Sequence, residues 1–291
     1  MADRDMDHQF SLDDVRDLET IFARRATAAQ AALAAFDVDS GIAYGMAPGE
    51  RLNIFPPRNR DGAAPVQIFI HGGFWRSLDA DLFSFLAPGF VPFGAVLVVI
   101  DYPLMPTVRM AELVEACRKA VRWTHANCAR YGGDPDRIFI SGNSAGGHLV
   151  AELMDRAWLR GTGLPEDLIK GGTAISGIFD LEPVTRSFQN DEIRLTAEEV
   201  RAFSPLRRQL DLAAPLIVTV GGDETEEFLR QSADFAQHAE RCGAPVLNIP
   251  VPQTNHITVV LDALADPAQE LNRAVRAQMG LSTPVDAPAI S

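Results

Sequence analysis

The chain has 291 residues, 39 of them acidic and 26 basic, giving a formal net charge of −13. With 47% hydrophobic and 22% charged residues the composition is globular, which excludes a disordered or fibrous chain; the length allows one large α/β domain or two small ones. The acidic balance argues against a nucleic-acid or anionic-membrane partner, and no run approaches about 18 consecutive apolar residues.

The N-terminal Met-Ala-Asp-Arg-Asp-Met-Asp-His leads into no apolar segment and is not expected to be a secretory signal. A helix is predicted over residues 11–35. Ser11 with Asp14 resembles a capping box, and Leu12, Val15, Leu18 and Phe22 follow at helical spacing. Residues 1–45 are therefore expected to form a helical extension, packed on the rest and in a position to cover a site.

From about residue 50, short apolar runs alternate with helical stretches. The runs are Val66–Ile70, Ala95–Ile100, Ile138–Ile140, Thr173–Ser176, Leu216–Val220 and Val246–Ile249. The clearest helix spans roughly Arg109–Arg130, with Met110, Leu113, Val114, Cys117, Val121 and Thr124 on one face. Continuous apolar strands separated by helices predict an α/β fold, a mostly parallel sheet covered on both faces. Residues 180–212 break the alternation with charged and Pro-bearing segments, and are expected to form a cap over the carboxyl ends of the strands. The tail, 281–291, has prolines and no periodicity and is expected to fray. Cys117, Cys128 and Cys242 are odd in number and form no CxxC, so neither a disulfide framework nor a structural zinc is expected, and a reducing cytoplasm fits.

The strongest chemical signal is Ile138-Phe139-Ile140-Ser141-Gly142-Asn143-Ser144-Ala145-Gly146-Gly147-His148. A buried strand precedes a G-x-S-x-G motif and an apolar helix follows it. The turn between them is so sharp that small residues must flank the serine, which is lifted clear of the sheet at a helix N-terminus. Ser144 is the expected nucleophile. Upstream, Ile68-Phe69-Ile70 runs into His71-Gly72-Gly73-Phe74-Trp75. Here the backbone N–H groups of Gly72 and Gly73, with that of Ala145, could form an oxyanion hole. His71 is expected to brace this loop, while Phe74 and Trp75 either wall a substrate or pack in the core.

A serine nucleophile needs a base, and the base an orienting carboxylate. In hydrolases with such a turn the order along the chain is nucleophile, acid, base. His148 lies one helical turn beyond Ser144 and His238 sits in a helical stretch, so both are expected to pack. His256, in Gln253-Thr254-Asn255-His256 after the last strand, is the expected base. Asp223 is the first carboxylate after Leu216-Ile217-Val218-Thr219-Val220-Gly221-Gly222 and is the expected acid. Glu224, Glu226 and Glu227 read as the acidic first turn of a helix. No HExxH, Walker or G-x-G-x-x-G pattern occurs, so neither metal nor cofactor is expected.

These residues resemble an α/β-hydrolase of the hormone-sensitive-lipase-like esterase group, over roughly residues 45–275. His71-Gly72-Gly73 followed by two aromatics is similar to the His-Gly-Gly-aromatic-Trp of kynurenine formamidases, where the lipase-like esterases have His-Gly-Gly-Gly. Gly142-Asn143-Ser144-Ala145-Gly146-Gly147-His148-Leu149 is similar in both groups. Asp223, followed by Glu227-Phe228 and Arg230-Gln231-Ser232, and Ser176-Gly177-Ile178-Phe179-Asp180 with Ser204-Pro205, also look like formamidases. Asp101-Tyr102-Pro103 lacks the Arg that esterases commonly place after the Tyr. The resemblance implies a single α/β-hydrolase domain and metal-independent hydrolysis of N-formyl-L-kynurenine to formate and kynurenine. Hydrolysis of small acyl esters or arylamides stays open beside it, as does, from another class, a hydrolase-fold binding protein without catalysis. The expected partner is a small acyl or formyl amide or ester, and a homodimer is left open.

Overall fold

The computed structural model describes residues 4–58 and 62–281. Its strands are β1 (Asp39–Ala43), β2 (Arg51–Phe55), β3 (Ala64–Ile70), β4 (Val96–Ile100), β5 (Gly133–Asn143), β6 (Ile169–Ile175), β7 (Leu216–Gly221) and β8 (Val246–Val251). They form one sheet in the order β1-β2-β4-β3-β5-β6-β7-β8. The pairs β1/β2 and β2/β4 are antiparallel and the others parallel. The helices are α1 (Arg4–Gln9), α2 (Leu18–Ala35), α3 (Ala87–Phe90), α4 (Met110–Asn127), α5 (Ala145–Met154), α6 (Asn190–Ile193), α7 (Ala197–Phe203), α8 (Glu226–Arg241) and α9 (Glu270–Gln278).

The central strands are apolar on both faces because both faces are covered. Val66, Ile68 and Ile70 of β3 join Leu113, Val121, Leu149 and Phe235 in one core layer. Phe69, Leu97 and Val99 point the other way, into a layer with Phe85, Phe90, Leu264, Leu271 and Val275. Each fully buried side chain of this kind stabilises by about 1.5–3 kcal/mol relative to exposure. The apolar stripe predicted for residues 109–130 is the buried face of α4, from Met110 to Thr124.

Two features depart from the expectations. The helix predicted over 11–35 begins only at Leu18, and a separate α1 precedes it. Phe10 is buried in an aromatic cluster, so the chain must turn after α1. Ser11, read as a cap, instead donates its hydroxyl to the His8 carbonyl at 3.1 Å and accepts the Asp13 N–H at 3.2 Å, bonds that compete with a helix. Strands β1 and β2 were not foreseen. β1 is largely exposed, and β2 carries the buried polar Asn53, which accepts from the Gly41 N–H and donates to Asp81. Residues 180–212 hold the short helices α6 and α7 and two single helical turns, Pro183–Arg186 and Pro205–Arg207. Residues 282–291, most of the tail expected to fray, lie outside the described residues.

The chain leaves β3 toward β4 on one side and later lays β5 on the other. The carboxyl ends of β3 and β5 are thus neighbours, with Ile70 paired to Gly142, and a crevice opens above them. Glycine makes the approach close enough. A Cβ at Gly146 would stand 2.0 Å from the Ile70 carbonyl oxygen, and one at Gly142 would stand 2.4 Å from that of Gly146. Gly146→Ala is expected to cost about 3 kcal/mol, the upper range for forced overpacking. For a chain of this size that lowers the melting temperature by roughly 6–12 °C. Melting unchanged from the wild type would show that the contact can relax.

Candidate active site

Ser144 sits between β5 and α5 with φ 60° and ψ −120°, a conformation that costs a non-glycine residue about 1–3 kcal/mol. The cost is met by the surrounding bonds: its N–H donates to the Ile175 carbonyl at the end of β6 (2.8 Å), and its carbonyl accepts the His148 N–H (3.1 Å). The side chain thereby projects from the sheet at the N-terminus of α5.

His256 is held in the loop after β8. Asn255 Oδ1 accepts the N–H groups of Ile257 and Thr258, and Thr258 Oγ1 accepts the Asn255 N–H, before a π-helical turn at Val259–Leu264. The imidazole Nδ1 is 2.6 Å from Glu224 Oε2. The carboxylate beside His256 is therefore that of Glu224, not Asp223, which corrects the reading from sequence. After β7 the turn through Gly221 and Gly222 leaves Asp223 exposed, its N–H donating to the Thr254 carbonyl. The longer Glu224 side chain folds back under the turn and is fully buried. There Oε1 accepts from Ser176 Oγ (2.5 Å) and from the Gly221 N–H (2.7 Å), leaving Oε2 for the imidazole. Glu226 and Glu227 do form the acidic first turn of α8, as expected.

The loop after β3 is held by buried polar and ring contacts. His71 is buried, stacks on Tyr102 with ring centroids 4.4 Å apart, and lies 2.8 Å from the Gly72 carbonyl through Nδ1. The Tyr102 hydroxyl donates to the carbonyls of His71 and Gly72. Burial pushes the His71 imidazole down to about 4, so it stays neutral and braces the loop. The carbonyls of Gly72 and Gly73 are engaged in this way and in the turn to Ser77, while among the described residues the amides of Gly72, Gly73 and Ala145 donate to no loop carbonyl.

Phe74 and Trp75 separate. Phe74 lines the cavity, whereas Trp75 is fully buried and does not wall it. Its indole N–H donates to His148 Nδ1 at 3.2 Å, and His148 Nε2 donates to the Phe203 carbonyl at 2.8 Å. His148 thus packs, as expected, and ties the loop after β3 to α7. His238 lies 2.8 Å from the Arg208 carbonyl, away from the cavity.

Ser144 and His256 open on a cavity of about 340 Å³. Most of its wall was not foreseen. Phe10 meets Phe74 and Phe228 edge-on at 6.1 and 5.8 Å, and Phe228 lies 4.3 Å from the His256 ring. Leu12, Asp13, Phe22 and Arg25 come from the N-terminal segment, Phe83 from the turn after β3, and Phe188 and Gln189 from the cap. These aromatics carry no motif; only the fold brings residues 10, 74 and 228 together. Among the described residues no group of three or more His, Cys, Asp or Glu could hold a metal ion, and no helix is long and apolar enough to cross a membrane.

A mostly parallel sheet with a serine on the β5–α5 turn and a histidine–carboxylate pair beyond the later strands defines a class. A family profile described as the alpha/beta hydrolase fold matches residues 67–260, and the chain belongs to that family. It is similar to the kynurenine formamidase of Danio rerio, with 30% identity over 246 residues, 83% of this chain and 82% of that one. It is likewise similar to the kynurenine formamidase of Salmo salar, with 29% identity over 94% of this chain and 92% of that one. The hyperthermophilic esterase of the archaeon Pyrobaculum calidifontis shares the fold, with a TM-score of 0.70 at 20% identity over 95% of this chain and 94% of that one.

The buried His148 gives a pH test. Burial lowers its pKa from the ordinary 6.5 to about 4. The folded state keeps it neutral while the unfolded chain binds a proton, so its contribution to stability is complete above pH 6.5 and is lost as pH falls toward 4. His148→Leu, which strands the Trp75 N–H and the Phe203 carbonyl, is expected to cost about 1–3 kcal/mol near neutral pH. The gap in melting temperature to the wild type is expected to narrow on acidification; a widening gap would mean that the folded protein holds the imidazole charged.

Proposed function

We propose that the chain is a serine hydrolase in which Ser144 is the nucleophile, His256 the base and Glu224 the orienting acid, and that its substrate is an aryl formamide of the N-formyl-L-kynurenine type. The observation that carries the chemistry is the elbow at Ser144 opening on the same cavity as the His256–Glu224 pair. The substrate rests on the similarity to kynurenine formamidases along most of both chains.

In the proposed cycle His256 takes the Ser144 proton as the hydroxyl attacks the formyl carbonyl. Glu224 fixes the imidazole tautomer and stabilises the imidazolium, aided by its two other hydrogen bonds, which hold it in one orientation. The amides of Gly72, Gly73 and Ala145 receive the oxyanion; each such donor is typically worth about 10²–10³ in kcat. His256 then protonates the leaving arylamine, and water releases formate from the formyl-enzyme. Phe74 and Phe228 offer ring faces to the aryl group. The three buried, unpaired cysteines support a reducing compartment such as the cytoplasm.

Two experiments test this reading. The kcat/KM for N-formyl-L-kynurenine is measured beside that for p-nitrophenyl acetate, with Ser144→Ala as the blank. Formamide turnover at or above about 10⁴ M⁻¹s⁻¹ is expected; brisk ester cleavage with negligible formamide turnover would assign an esterase instead. In the second, Glu224→Gln is expected to lower kcat by about 10²–10⁴, as for other triad acids. Asp223→Asn should stay within about twofold of the wild type, as befits an exposed residue. The reverse pattern would return the acid to Asp223.

A further inference from the structure

Arg25 lies on the third turn of α2 and reaches the wall of the cavity that holds Ser144 and His256. It is only 8% exposed. Its guanidinium stands over the Phe22 ring at 4.9 Å and the Phe83 ring at 5.8 Å, and Nε is buried without a hydrogen-bond partner. Among the described residues no carboxylate forms an ion pair with it. Arg76 shares the unpartnered buried Nε, but its terminal nitrogens are held where, among the described residues, those of Arg25 are not. Arg76, on the same wall, is engaged by Glu192 at 2.8 Å and by Gln189 at 3.0 Å. Arg109, at the start of α4, is tied to Glu199 and to the carbonyls of Ile193 and Arg194.

A buried cation is costly unless an anion or several acceptors meet it. Two aromatic faces recover part of that cost but present no hydrogen-bond acceptor in the plane of the guanidinium fork. Asp79, an exposed carboxylate that forms no ion pair with Arg25, opposes the effect of burial, and Asp13 shares the cavity wall. Burial outweighs Asp79 and lowers the Arg25 pKa, yet a guanidinium remains charged at neutral pH. In a chain of net charge −13, a buried arginine left without a partner inside the cavity of the candidate nucleophile is a local positive site awaiting an anion.

We propose that Arg25 is a specificity residue that holds a carboxylate carried by the substrate, at the end remote from the bond cleaved. The proposal rests on the reading of this cavity as the hydrolytic site. It deepens that reading by restricting the substrates to anionic acyl or formyl compounds, in which a carboxylate is joined through a short linker to an aryl amide. N-Formyl-L-kynurenine has this layout, with its amino-acid carboxylate at the end opposite the formamide. The planar fork accepts a carboxylate side-on, and the ring faces of Phe22 and Phe83 keep the fork oriented when the cavity is empty.

The test is binding rather than turnover, so that absence of formamidase activity leaves it standing. Calorimetry compares 4-oxo-4-phenylbutanoate with its primary amide, on the wild type and on Arg25→Met. The wild type is expected to bind the carboxylate about 10- to 100-fold more tightly, the factor of one charge-assisted hydrogen-bonded pair, and the ratio should collapse toward unity in the variant. Arg25→Gln serves if methionine disturbs the packing against Phe22 and Phe83, with the same collapse expected. A wild type indifferent to the carboxylate, or a preference that survives in a folded variant, would overturn the proposal. If N-formyl-L-kynurenine is not hydrolysed while the carboxylate preference depends on Arg25, the reading of the substrate fails and the anion site stands.

Discussion

The site depends on one close approach, that of the turn after β5 to the end of β3. Gly146 lies against the Ile70 carbonyl with no room for a Cβ, and Gly142 lies against Gly146 in the same way. This contact brings Gly72 against Asn143 and Ser144 and holds Ser144 in a backbone conformation it would not adopt alone. Because β3, β5 and β6 are parallel neighbours, the sheet presents their carboxyl ends together, and the bond from the Ser144 N–H to Ile175 fastens the turn to the third of them.

Around this centre, buried polar groups tie the loop after β3 and residues 180–212 to α5. Trp75, His148 and the Phe203 carbonyl form a chain from the loop after β3, through α5, to α7. One turn further along α5, the buried Glu152 meets Arg208, at the end of the cap. Burial raises the Glu152 pKa to about 7 while Arg208 opposes the rise. Such groups contribute little net energy when satisfied but cost much when stranded, so they fix one arrangement of loop and cap more than they add stability. The Glu224 carboxylate follows the same rule: with three hydrogen-bond partners and no exposure it has a single orientation, and so has the imidazole it meets.

The N-terminal segment completes the enclosure. Phe10 is clasped by Phe74 and Phe228, one from the loop that supplies the candidate oxyanion amides and one from α8. The Gln189 side chain donates to the Phe10 carbonyl, and the Gln9 carbonyl accepts from Thr225. The segment therefore bridges the cap and the start of α8, and delivers Leu12, Asp13 and Arg25 to the cavity.

What the sequence determined by itself is what depends on local pattern. The apolar runs at 66–70, 95–100, 138–140 and 216–220 name buried strands because a strand covered on both faces has no polar side. Met110 to Thr124 names a helix face by its period, and Gly142 to Gly146 marks a turn that only small residues can make. His256 could be singled out because it follows the last strand directly. The tertiary structure alone decided between Asp223 and Glu224. The two are adjacent in sequence, and the choice turns on which side chain can fold under the Gly221 turn to reach Ser176 and His256, groups 48 and 32 residues away. It also decided that Trp75 packs while Phe74 faces the cavity, and that Phe10, Phe228 and Arg25 form its wall. A periodicity reports which face of an element is buried; it carries no information on which distant element covers that face, and an active-site wall is made almost wholly of such distant pairs.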